Sequence, residues 1–132
     1  MFIQDLESTH DVERPADINA CLSKRNRAGV NSFWIGRVAG GFPALNIMVN
    51  GGLAYVHYFP KEDHAGYASV GGSLGLVPEG DTAFFHDNTE EPVQIMNVSV
   101  VPFSDALKAV QEFAVSNAMP KCIQWDSLVE GE

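Results

Sequence analysis

Alternation of apolar and polar positions is clearest over Ala44–Val49, where Leu45, Ile47 and Val49 fall on one side, and again over Leu53–Phe59. Between them, Asn50-Gly51-Gly52 supplies residues that tolerate the positive φ of a two-residue hairpin turn. With the turn centred on Asn50-Gly51 or on Gly51-Gly52, Leu45, Ile47 and Val49 share a face with Ala54, Val56 and Tyr58. The opposite face carries Ala44, Asn46, Met48, Leu53, Tyr55 and His57. A slip of one residue would exchange the two faces, so the pairing is well specified. Both faces hold apolar side chains, which places the hairpin centrally in a sheet with material packed on each side.

Further strands are expected over Ser32–Val38, closed by Gly40-Gly41, within the glycine-bearing stretch Gly66–Gly75, over Asp81–His86, over Pro92–Val98 and over Cys122–Trp125. Ile18, Cys21 and Leu22 have helical spacing, and Pro15 suits a first turn, so a short helix is predicted from about Pro15 to Lys24. Lys24, Arg25 and Arg27 then fall at its C-terminus, where the helix dipole favours cations. A second helix follows from Phe103, Ala106, Leu107, Val110, Phe113 and Ala114 at 3.6-residue spacing. Ser104 is its expected N-cap, Asp105 favours its positive end, and Pro120 is its expected stop. Residues 1–12 read as a loose lead-in. The expectation is a single α+β domain over 1–132, a mostly antiparallel sheet of about six strands with an N-terminal and a C-terminal helix.

Charge changes this picture more than composition does. The chain of 132 residues is 45% hydrophobic, enough for a packed core, and carries a formal charge of −9. From Met1 to Arg37 five acids balance five bases; from Val38 onward twelve acids face three bases. The excess lies mostly in predicted loops, at Glu62 and Asp63, Glu79 and Asp81, and Asp87, Glu90 and Glu91. Singly these are solubilising loop residues; together they make a negative field that attracts a basic partner. Direct nucleic-acid binding, which needs clustered Lys and Arg, is not expected. Neither is a membrane span, since no apolar run approaches roughly 18 residues. The first residues lack the basic region of a signal peptide, and the expected location is the cytoplasm.

Residues that could carry chemistry do not assemble into a known motif. His10, His57, His64 and His86 stand at no zinc-ligand spacing with each other or with Cys21 and Cys122. The two cysteines could pair only if the fold brings them together. Ser69 and Ser73 lie in glycine-rich sequence without a G-x-S-x-G arrangement, and Gly71–Gly75 lacks the Lys of a phosphate loop. No catalytic, cofactor or metal residues are assigned. The aromatic density at Trp34, Tyr55, Tyr58, Phe59, Tyr67, Phe84 and Phe85 leaves binding as the function. Trp34, Phe59 and one of Phe84 or Phe85 are expected in the core, with one or two other rings at a rim beside the acids, an arrangement suited to a basic cleft.

A family resemblance rests on an ordered set of segments: Asn31-Ser32-Phe33-Trp34-Ile35, Leu45–Gly51, Val56-His57-Tyr58-Phe59-Pro60, Val100–Leu107, Glu112-Phe113, Met119-Pro120 and Ile123-Gln124-Trp125. In this order they resemble the immunity proteins of bacterial polymorphic toxin systems, specifically the first numbered Imm family, usually encoded beside deaminase toxins. The resemblance covers about Phe33 to Trp125. It implies a non-enzymatic α+β protein that binds a cognate toxin domain and blocks it, the usual toxin being a zinc-dependent nucleic-acid deaminase; a one-to-one complex is the simplest expectation. It also implies that Trp125, His57, Tyr58 and Pro102 maintain the fold, while loops make the toxin contacts. The expected contacts are Glu62, Asp63, Glu79, Asp81, Asp87, Glu90 and Glu91, with Tyr67 and Phe84 or Phe85 as anchors. Two other functions share this sequence: a toxin secretion adaptor or chaperone without inhibition, and a small enzyme using His57 or His64 as base.

Overall fold

Strand, strand, helix and then three long strands open the chain in this computed structural model, which describes residues 1–72, 74–87 and 90–131. They are β1 (Phe2–Gln4), β2 (Thr9–Asp11), α1 (Pro15–Leu22), β3 (Val30–Gly36), β4 (Ala44–Asn50) and β5 (Leu53–Phe59). β6 (Tyr67–Val70), β7 (Asp81–Phe84), β8 (Val93–Met96) and β9 (Val101–Pro102) lead to α2 (Phe103–Ser116) and β10 (Gln124–Ser127). The α+β class and antiparallel pairing agree with the pattern; among the described residues the strands number ten rather than about six. The main sheet has the order β10-β6-β5-β4-β3-β1-β2, with β9 beside part of β5, while β7 and β8 form a separate ribbon.

In β4 and β5, Asn50 pairs with Leu53, so Gly51-Gly52 is the turn and Gly51 has the positive φ of +57°. Leu45, Ile47 and Val49 stand opposite Tyr58, Val56 and Ala54, as the alternation requires. Both helices cover this inner face. Ile18, Cys21 and Leu22 from α1 and Ala106, Ala109, Val110 and Phe113 from α2 join Phe33, Ile35 and the hairpin residues in the main core. Each large side chain buried there contributes about 1.5–3 kcal/mol.

Residues 1–12 are not a loose lead-in. β1 pairs with β3, Ile3 lies opposite Ile35, and Ile3 is fully buried. Asp5 closes the β1–β2 turn, its Oδ1 accepting the backbone N–H groups of Glu7 and Ser8. Three-residue strands offer too few alternations to be read from sequence.

α1 starts on Pro15 and stops at Leu22. Beyond it, Arg25 donates to the carbonyls of Leu22 and Gly51 and lies 4.3 Å from the centre of the Phe103 ring, clamping α1, the β4–β5 turn and α2 together. α2 begins directly after Pro102, so Ser104 lies within the helix and is not its N-cap. Its end is set by Asn117 rather than Pro120: Asn117 is left-handed at φ +51°, and its N–H bonds the Phe113 carbonyl.

One edge of β5 is shared between β6 and β9. Val56 falls in the gap, and its N–H donates to Ser69 Oγ at 3.1 Å, while the Ser69 hydroxyl donates to the Ser99 carbonyl at 2.7 Å. Ser69 thus completes an interrupted ladder; Ser73 lies outside the described residues. Cys21 and Cys122 are both free thiols, the first buried and the second exposed. Among the described residues no helix is long and apolar enough to cross a membrane.

Candidate functional site

The sheet face opposite the helices is covered over only part of its breadth. The β7–β8 ribbon lies there, with Phe84 fully buried against Met48, Tyr55, Ala68 and Val100, and Leu53 and Ile95 packed alongside. Asn50 Nδ2 donates to the Ala83 carbonyl at 3.0 Å, fastening the ribbon to the end of β4. At the other end the Thr82 hydroxyl donates to Asn97 Oδ1 at 2.6 Å, and Asn97 Nδ2 donates to the Val77 carbonyl. Alternation turns Asp81 and Met96 outward together, and Met96 is 62% exposed.

Beside the ribbon an aromatic strip stays open. Trp34 of β3 and His57 and Phe59 of β5 are all half-buried. His57 stacks on Phe59 at 3.9 Å between centroids, Phe59 lies 5.5 Å from Trp34, and His86, just beyond β7, meets Trp34 edge-on at 5.8 Å. His57 Nε2–H donates to the Ala65 carbonyl at 2.8 Å, which leaves Nδ1 as acceptor, with the Tyr55 hydroxyl 3.5 Å away. Burial pushes the imidazole below its ordinary value; the Ala65 bond opposes this and the neighbouring His86 adds to it. Burial also pushes the Tyr55 phenol up, keeping it a neutral donor.

Trp34 and Gln4 are common to two adjoining hollows. One, of about 290 Å³, is lined by Phe2, Val38, Phe42 and Ala44 together with the glycines of the β3–β4 loop. The other, of about 250 Å³, is polar and lined by Asp5, Ser32, His86 and Asp87. Ser32 is buried, and its hydroxyl has no partner among the described residues.

Two of the three acidic loops flank one element: Glu79 and Asp81 stand where β7 begins, and Asp87, Glu90 and Glu91 occupy the turn to β8. Asn88 and Thr89, inside that turn, lie outside the described residues. Glu62 and Asp63 are exposed in the loop that returns to His57 through Ala65. Asp87 reaches the polar hollow and lies 3.6 Å from His86. Phe85 is half-buried. Phe84 is no surface anchor, because its ring is fully buried under the ribbon. Tyr67 is not one on this face either: it packs on the helix side, 6.3 Å from Tyr58 and against the main core.

Trp34 and Phe59, expected in the core, are instead the centre of the open strip, and His57 and His86 join them. Two apolar faces signal two coverings, but alternation does not say how far the second extends. Among the described residues no group of three His, Cys, Asp or Glu could hold a metal ion. What the arrangement offers is a hydrophobic centre with a polar, negatively charged rim, the anatomy of a protein-binding surface.

A protein-family model described as Immunity protein Imm1 matches residues 6–127. The chain is also 23% identical over 128 residues to the double-stranded DNA deaminase immunity protein of Burkholderia cenocepacia (strain H111), covering 97% of this chain and 100% of that protein. The family match takes in both helices, the aromatic strip and the ribbon, and the chain belongs to the Imm1 family of immunity proteins.

Proposed function

We propose that this immunity protein neutralises a nucleic-acid deaminase toxin by covering the toxin's basic substrate cleft with the outer face of its sheet. The observation that carries this reading is the meeting of the aromatic strip with acidic loops on one face. A cleft that accepts a polyanion must be basic, and twelve acids against three bases after Val38 give the inhibitor the complementary field. Aromatic side chains inside that rim supply the desolvated contacts that hold a complex once formed. The toxin class is supported by the name of the Burkholderia relative, a deaminase immunity protein. In this reading the toxin is a zinc-dependent enzyme held one-to-one in the cytoplasm, and the chain itself has no catalytic turnover. Glu62, Asp63, Glu79, Asp81, Asp87, Glu90 and Glu91 steer the encounter, with Phe85 at the rim.

The test is co-expression with the toxin domain encoded beside the chain, co-purification, and a nucleic-acid deamination assay. The expected result is a stable complex with deamination abolished. A complex that deaminates at full rate would make the chain an adaptor instead. Replacing Glu62, Asp63, Glu79 and Asp81 by lysine should slow association and reduce its dependence on salt. Unchanged association kinetics would remove the acidic loops from the mechanism.

A further inference from the structure

The two hollows beside Trp34 differ in chemistry and share a wall. One is apolar, with Phe2, Phe42, Val38 and Ala44 around about 290 Å³, and Phe42 and Val38 are 45% and 65% exposed. The other opens on Asp87, whose side chain is 80% exposed, and on His86. Large apolar side chains left uncovered next to a tryptophan mark a contact surface. Charge identifies the occupant. A second copy of this chain would bring another −9 and a second acidic rim, and an anionic lipid surface would be repelled likewise. A basic protein is attracted, and a lysine or arginine entering beside Asp87 also meets the indole of Trp34, the ring most favourable to a cation.

We infer that Trp34 divides a two-part anchor site for the toxin: one large apolar side chain fills the Phe2–Phe42 hollow, and an adjacent lysine or arginine occupies the Asp87 hollow. This rests on the proposed toxin-binding reading and deepens it, because it names the chemistry of the toxin segment that must be presented. Trp34 is then the centre of the interface, and the apolar half governs dissociation whereas Asp87 governs association.

The experiment measures binding kinetics of the toxin domain encoded beside the chain, inactivated at its catalytic site, to purified wild type and to four variants. Phe42→Asp and Trp34→Ala should each weaken binding by about thirty-fold or more, mainly through faster dissociation. Asp87→Lys should slow association and reduce its salt dependence. Val115→Asp, 86% exposed on α2, is the control and should bind as wild type does. Circular dichroism and thermal unfolding verify each fold; Phe42 stands on an exposed loop, so its variant remains informative if Trp34→Ala does not fold. Wild type that fails to bind overturns the toxin-binding reading itself. Wild type that binds while folded Phe42→Asp binds within two-fold of it overturns this inference alone. So does a wild-type dimer in sedimentation that Phe42→Asp dissolves, since the hollow would then belong to a second copy.

Discussion

His57 lies face to face on Phe59, two residues along the same strand, with ring centroids 3.9 Å apart and planes inclined by 16°. The stack is held from outside by the Ala65 carbonyl, which fixes Nε2 as the protonated nitrogen. An imidazolium would keep that bond but would be poorly solvated, and Nδ1–H would then face the Tyr55 hydroxyl as a second donor.

The consequence is a pH dependence with a definite sign. Burial holds the folded-state value of His57 below 6.5, so just below that pH the unfolded chain binds more protons than the folded one. The contribution to stability is present above the unfolded value and is lost as pH falls through the folded one. Thermal unfolding at about pH 7 and about pH 5.5 should show this loss in wild type. In His57→Phe, which keeps a flat ring on Phe59, the loss should be smaller; equal slopes would exclude His57 as the titrating group.

Gly71 and Gly52 make a matched pair. A Cβ built on Gly71 would sit 1.9 Å from the Val100 carbonyl oxygen, whereas one on Gly52 meets nothing within 4 Å. Gly71→Ala must therefore push β6 away from the segment leading into β9 and should cost about 1–3 kcal/mol. Gly52→Ala should stay within about 0.5 kcal/mol of wild type. Urea unfolding of the two proteins distinguishes a backbone approach from a general intolerance of substitution.

Much of the framework was legible because central strands repeat their pattern often enough to be read. Leu45, Ile47 and Val49 against Tyr58, Val56 and Ala54 needed only alternation and a glycine turn. The N-terminal hairpin was not legible, because the Asp5 turn and two three-residue strands carry almost no periodic signal. Around the candidate site, the charge imbalance is plain in the sequence, while Trp34 and Phe59 read as core. Aromatic side chains at strand spacing look the same whether a ribbon lies above them or ends short of them. That boundary is set by where β7 crosses the sheet, a tertiary fact. Of Phe84 and Phe85, Phe84 is the ring that enters the core, as expected of one of the two.

Phe84 tests what holds the ribbon. It is fully buried between the ribbon and Met48 and Tyr55, so Phe84→Ala should destabilise by about 3–5 kcal/mol. Hydrogen exchange should accelerate first at the β7 and β8 amides, which have no ladder bonds to the main sheet, and later at β4 and β5. Uniform acceleration would mean the ribbon and sheet unfold as one unit.

Trp125 offers a narrower change. Its Nε1–H donates to the Pro120 carbonyl at 2.7 Å while the ring packs 6.2 Å from Tyr58. Trp125→Phe keeps an aromatic ring but removes the donor, and should cost about 1 kcal/mol or more in chemical denaturation. A neutral result would assign the residue to packing alone.

The separation of the ribbon from the main sheet bears on how such a protein changes partners. Asp81, Gln94 and Met96 point away from the sheet on a two-stranded element whose ladder hydrogen bonds are its own. Substituting them leaves the β3–β4–β5 register and the helix-side core untouched. If the ribbon meets the toxin as proposed, recognition can change at positions that folding leaves almost free, one substitution at a time and without loss of the fold.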